Sequence, residues 1–520
     1  MRRAVSFGLW IPAFLSTVAC AQAGPAEPKP GDSRLGINLN GPADWNTELP
    51  FVDAFHLARA WISQRDGAPW GKGPALDLDE RGWVRRLEPG CYAETPLLTI
   101  SGPHKPPGEY VCLYSGKGRV EFWNIEREVK REPGRIVVEL KADGGPFLRI
   151  RDTDPADPVR DIHFLLPGAE ATWREQPFRS GFLERWRGFN TYRFMDWMTT
   201  NGTPQKTWAD RPKVDDATWT RRGIPLEVIL DLCNAQKVNP WLCLPHQADD
   251  DYVRNFAALV KERLDPSLKV WIEYSNEVWN SMFEQQHYAQ RRGQELGLGP
   301  KERPWEGAAM FYSRRALEIF AIFEQVFGGR ERLMRVLAWQ AANPWWSENI
   351  VLPAGDAGHH ADALAIAPYI TFLPSPQSKP SAAEIGQWSV DQVLDTVENE
   401  KLPECEKWMR DQKAIADKWG LKLVCYESGQ HLVGVGGGEN VEALTKVFMA
   451  ANRSPRMGAI YTKYLNAWRD LGGDLMCLFA STGNWSKWGS WGLTEYYDEG
   501  EAEQPKLKAV LDWNRAHPRR

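Results

Sequence analysis

The sequence predicts an α/β protein: a (β/α)8 TIM barrel with a β-sandwich-like domain inserted after the first helix. Three observations predict it. From residue 189 onward, apolar runs of strand length alternate with amphipathic helical stretches. One further strand and helix stand near the start of the chain. Between the two lies a stretch of short alternating strands broken by Gly/Pro turns, with no helical period.

Taken in order, "RLGINLN" (34–40) reads as the first strand and "LPFVDAFHLARAW" (49–61) as its helix. "GFNTYRF" is the second strand, followed by a long polar loop and the helical "PLEVILDLCNAQ". "PWLCLP" is the third, and the Asp run opening "DDDYVRNFAALVKERL" suits a helix N-terminus. "LKVWIEYS" is the fourth, with helices over "FEQQHYAQRRGQEL" and "AMFYSRRALEIFAIFEQVFG". "RLMRVLAWQ", "ADALAIAPYI", "LKLVCYES" and "GDLMCLFAS" are the fifth to eighth strands, and "PKLKAVLDWNRAH" closes the chain as a helix. Eight such units fit a closed barrel better than a doubly wound sheet. The predicted domains are 24–63 (first strand and helix), 64–168 (the insertion) and 169–520 (the rest of the barrel), after a leader at 1–23.

That leader has Arg2 and Arg3, the apolar "AVSFGLWIPAFLSTVA" and "AQA" before Gly24. This is the pattern of an export signal cleaved after Ala23, which predicts a secreted or periplasmic protein. "TVAC" also offers a poor lipoprotein box, so a lipid anchor at Cys20 stays open as the alternative. No later run is apolar enough to span a bilayer.

A net charge of −5 argues against a polyanion such as nucleic acid as the main partner. Oligomeric state is not legible. Tryptophan is the compositional outlier at 26 copies, a residue that packs cores and also stacks on sugar rings. Without the leader seven cysteines remain, none in a CxxC or Cys/His cluster, so neither zinc nor any other cofactor is expected. Most sit in apolar contexts and read as small buried hydrophobes. Cys91 and Cys112 fall in one β-rich region, and whether they pair is left open.

Barrel active sites form at the C-terminal strand ends. The residues there are Asn40 and Trp45 after the first strand, Arg193 and Asp196 at the second, and His246 after the third. Asn276 and Glu277 follow the fourth, Trp339 and Gln340 the fifth, Tyr369 the sixth and Glu427 the seventh. Trp485 and Trp488 lie in the loop after the eighth. Two acids with an Arg, a His, a Tyr and several Trp are what glycosidic cleavage needs. One carboxyl protonates the leaving oxygen, and the other attacks the anomeric carbon or activates water. Strands four and seven face each other across the mouth, at the ~5–5.5 Å carboxyl spacing of a retaining mechanism.

This set resembles clan A of the glycoside hydrolases, retaining barrel enzymes with both acids on strands four and seven. "SNE" matches the Asn–Glu of the acid/base with Asn276 and Glu277, and "VCYES" matches the nucleophile with Glu427. The resemblance implies that Arg193 and Tyr369 support the nucleophile. It also implies that His246 lines the sugar subsite and that Trp485 or Trp488 floors it. The insertion is unusual for the clan, and no single family's extended signature is present.

Each residue also has a plainer reading. Glu277 and Glu427 are strand-end charges in that reading, Arg193 a salt-bridge partner, Tyr369 a packing residue, His246 a loop cap and Asp249 to Asp251 helix caps. Glu273, four residues before Glu277, lies deeper in the barrel and is expected to pair with a base such as Arg193. Of Trp45, Trp279, Trp339, Trp485, Trp488 and Trp491, two or three are expected to stack on sugar. The expected function is therefore an exported retaining glycoside hydrolase acting on β-linked oligo- or polysaccharides. The alternative is a non-catalytic carbohydrate-binding protein on a barrel scaffold. A metal-dependent hydrolase would need several His or Asp ligands at strand ends, and only His246 qualifies; His359 and His360 precede strand six, at the wrong end.

Overall fold

Eight parallel strands close into a barrel in the computed structural model, which describes residues 32–519. The leader, Cys20 and Ala23 lie outside those residues. The strands are β1 (Leu35–Asn38), β2 (Thr191–Arg193), β3 (Asn239–Leu244), β4 (Val270–Tyr274), β5 (Leu333–Ala338), β6 (Ala363–Ile366), β7 (Lys422–Cys425) and β8 (Met476–Leu478). Each pairs with the next, and Leu35 opposite Met476 closes the ring. Their sequences are mostly apolar because both faces are covered. Trp241, Trp271, Val336, Ala363, Val424 and Cys477 fill the interior, and the helices pack outside. The β1 backbone runs so close to β8 that a Cβ at Gly36 would sit 2.4 Å from Cys477 Sγ. Asp249 caps the helix Asp250–Arg263 by accepting the Tyr252 N–H, as its Asp run predicts.

Residues between β1 and β2 build two four-stranded antiparallel sheets. One contains Ile62–Arg65, Cys91–Pro96, Phe147–Thr153 and Gly118–Trp123; the other contains Arg160–Leu165, Glu109–Ser115, Arg135–Glu139 and Arg127–Glu132. They share one apolar core, with Phe122 of the first against Phe164 of the second at 5.4 Å. Cys91 and Cys112 are both buried and unpaired thiols, one in each sheet.

Two local expectations change. The helix predicted over 49–61 is a single 3₁₀ turn, Ala54–Leu57. Its neighbours are drawn into extended contacts instead, Phe51 with Phe178 and Asp53 with Leu165, the latter tying this segment to the insertion. The helix before β2 is the short Ser180–Arg185, after the insertion. Arg127–Glu132 escaped prediction because its sequence, REVKRE, is almost wholly charged, which suits an edge strand.

Candidate active site

Arg193 organises the barrel mouth. It ends β2 with a side chain fully buried. Nε and Nη2 grip Glu273 on β4 (3.0 and 2.9 Å), Nη1 donates to Glu427 Oε1 (2.7 Å) and to Asn38 Oδ1 on β1 (3.1 Å), and Nη2 also donates to Asn276 Oδ1 (2.9 Å). Glu273 also accepts the Trp241 indole N–H at 2.7 Å, so it pairs with Arg193 below the site as expected. A buried guanidinium is stable only when its charge and its donors are answered in this way.

Glu427 follows β7 and is 5% exposed. Besides Arg193, it accepts the Tyr369 hydroxyl on Oε2 at 3.0 Å. Burial, then the charges of Glu427 and Glu277, push the Tyr369 phenol well above its usual range, so it remains a donor. Both Glu427 oxygens are thereby engaged, one by the guanidinium and the other by the phenol.

Glu277 stands differently. Beyond Tyr274 the chain bends through left-handed φ at Ser275 (58°) and at Glu277 itself (42°), a conformation costing about 1–2 kcal/mol per non-glycine residue. Tyr426, next to Glu427 in the chain, donates to Oε1 at 3.0 Å, and Asn280 donates to Oε2 at 2.9 Å. Burial first, then the charge of Glu427, raise the Glu277 pKa from 4.5 to about 7, against these two donors. One link therefore joins the acids: Tyr426 carries a hydroxyl to one and a peptide bond to the other.

Asn276 presents Oδ1 to Arg193 and Nδ2 to Asn201 (3.0 Å), whose Oδ1 also accepts from Gln285 at 2.7 Å. Asp196, after β2, has its pKa raised to about 7 by burial and then by Glu427. Among the described residues no hydrogen bond reaches its carboxyl.

The other predicted residues lie outside this network. His246 is buried against Tyr288, its ring centroid 5.3 Å away, and burial lowers its pKa to about 4. Among the described residues it bonds to neither acid. Asn40 works through its backbone, donating to Ser481 Oγ (3.0 Å) and accepting from Trp197 (3.0 Å). Trp339 is packed between Tyr312 and Trp346 in the barrel–helix layer. Trp485 is buried with Lys506 and Arg453 over its ring, at 4.3 and 5.2 Å. A ring so covered has no face for a sugar, which corrects the stacking role expected of these two. Trp45 and Trp488 are exposed, under Arg59 and Lys487 respectively. Trp491 does reach the acids' surroundings, packed with His431 (4.6 Å), Phe479 (5.5 Å) and Tyr369 (5.6 Å).

Asn38, Asn201, Gln285, Tyr426 and His431 were not anticipated. Tyr426 had a readable signal, since it precedes the strand-seven acid. The others depend on loop paths that no local pattern encodes.

No family model matches the sequence, and no curated protein matches it. Solved structures do. One is a 4-O-alpha-L-rhamnosyl-beta-D-glucuronidase from Fusarium oxysporum 12S, 10% identical over 64% of this chain and 63% of that one, with a TM-score of 0.38. This match thus spans less than two thirds of that enzyme. Another is an endo-1,4-beta-D-mannanase from Thermotoga petrophila RKU-1, 13% identical over 64% and 94%, TM-score 0.35. A third is xylanase B from Clostridium stercorarium F9, 11% identical over 64% and 93%, TM-score 0.34. These neighbours are glycoside hydrolases. At such scores the likeness carries no argument about this chain's reaction, which rests on its own side chains.

Proposed function

We propose that this chain is a retaining glycoside hydrolase cleaving β-glycosidic bonds by double displacement. The observation that carries the reading is the opposite treatment of two carboxyls at one barrel mouth. Glu427, bonded by Arg193 and Tyr369, is the nucleophile. Glu277, with a pKa of about 7, keeps a proton to give to the leaving oxygen.

In the first step Glu427 attacks the anomeric carbon as Glu277 protonates the departing oxygen, leaving a glycosyl ester on Glu427. That ester removes the negative charge that raised the Glu277 pKa. Glu277, now a carboxylate with a lowered pKa, takes a proton from water, and the hydroxide oxygen displaces Glu427. Tyr369 and Arg193 hold the Glu427 oxygens through both steps. The bound sugar makes its contacts near Asn276, Asp196 and Trp491 in this reading. Export rests on the leader pattern alone.

The test is a panel of aryl β-glycosides and plant or algal polysaccharides, with the product anomer followed by NMR. Azide should restore turnover of Glu277→Ala on an activated aryl glycoside, because only the protonation and water-activation roles are missing. Near-normal turnover in Glu277→Ala or Glu427→Ala would overturn the assignment. Glycan binding without release of reducing sugar would favour a carbohydrate-binding protein instead.

A further inference from the structure

Where the insertion meets the barrel, a second polar cluster plays no part in this chemistry. Asp53 and His56 come from the 3₁₀ turn after β1, and His163 from the last strand of the insertion. Asp53 is 5% exposed, and its Oδ1 accepts the backbone N–H groups of Phe55 (3.0 Å) and Phe164 (2.9 Å). These bonds fix the carboxylate and aim Oδ2 at two imidazoles. His163 Nδ1 lies 2.7 Å from Oδ2 and His56 Nε2 lies 3.4 Å from it, and all three atoms fall within 4.8 Å of one another.

The surroundings hold the rings in place. His56 stacks flat on Trp219 with centroids 3.9 Å apart, and His163 leans on Trp173 at 4.2 Å. The two imidazoles keep 17% and 22% exposure, so one side of the cluster is open to water. The His56 Nδ1, on the far side of the ring from Asp53, is buried without a hydrogen-bond partner.

We propose that Asp53, His56 and His163 form a zinc site, with water as fourth ligand, that staples the insertion to the barrel. Two nitrogens and one carboxylate oxygen are a zinc donor set, and ligand atoms on a tetrahedral zinc lie about 3.3 Å apart. The observed 2.7 and 3.4 Å straddle that value, so small ring rotations admit the ion. His56 and His163 are 107 residues apart (163 − 56), which is why no spacing motif announces the site. The ligands come from both structural units, so the ion stabilises their contact directly.

The test uses the whole chain, stripped with a chelator, dialysed and titrated with zinc chloride by calorimetry and by thermal melting. One zinc per chain and a melting temperature raised by several degrees are expected, and cobalt in place of zinc should give the visible absorption of a tetrahedral ion. His163→Gln and His56→Gln, each shown by circular dichroism to be folded, should weaken zinc binding at least a hundredfold. No uptake at submillimolar zinc would overturn the site and mark the cluster as a hydrogen-bonded junction. Uptake unchanged in both variants would place the metal elsewhere and overturn it equally. Neither result depends on the glycosidase reading, because no step of the assay measures cleavage.

Discussion

The ends of β4 and β7 offer the same side chain at the same rim, and the molecule treats the two in opposite ways. Glu427 has a cation against one oxygen and a phenol against the other. Glu277 has two neutral donors, a strained backbone and the field of its partner. Identity of residue type therefore says little about role. One guanidinium bonds to Glu427 and not to Glu277, and the proposed division of roles rests on that asymmetry.

The sharpest way to break the comparison is to remove each acid in turn. Glu427→Ala should lose about 10⁴-fold in turnover, and azide entering its place should yield the inverted glycosyl azide. Azide acting on Glu277→Ala should instead give the retained product, so chromatography and NMR of the azides separate the two roles. Identical products would dissolve the distinction.

Arg193→Met comes next. It strips the counter-charge from Glu273 and Glu427 together and should destabilise the fold by about 3–5 kcal/mol in denaturant melts, with turnover falling alongside. An unchanged midpoint would mean that the buried acids do not need it. Tyr369→Phe removes one donor to Glu427 and should lower kcat about 10- to 100-fold, with little change in Tm. Loss of stability without loss of kcat would return Tyr369 to a packing role.

The smallest effect is a dependence on pH. In the unfolded chain Glu277 titrates near 4.5, and in the fold near 7, so the native state holds the extra proton between those values. Stability from this group is present at low pH and is lost as pH rises through 7. Glu277→Gln, which cannot ionise, should therefore melt higher than the parent above pH 7 and show little gain near pH 4. A gain independent of pH would remove Glu277 as the proton holder.

The barrel was legible because buried parallel strands are mostly apolar runs, and "VWIEY" or "LMRVLA" admits little else once helices flank it. Glu277, Glu427, Arg193 and Tyr369 were legible because each stands at a strand end in the right order, and the structure draws these four into one network. His246 kept its strand position but turned into the helix layer, and Trp339 and Trp485 are consumed by packing. Strand order places a Cα; it does not say which way a loop turns a side chain. The segment 49–61 misled for a related reason, since its apolar spacing serves contacts with the insertion rather than a helix face.

The placement of β1 bears on how the chain is made. Its two barrel neighbours begin at Thr191 and Met476, while each sheet of the insertion pairs residues much nearer in sequence. During synthesis the insertion can therefore collapse on its own, while β1 waits, half paired, for the last strand to leave the ribosome. Until then Asn38 has no β8 carbonyl to donate to, and the seam between β1 and β8 stays open. The barrel mouth is therefore completed only at the end, and a chain truncated before β8 should be unstable.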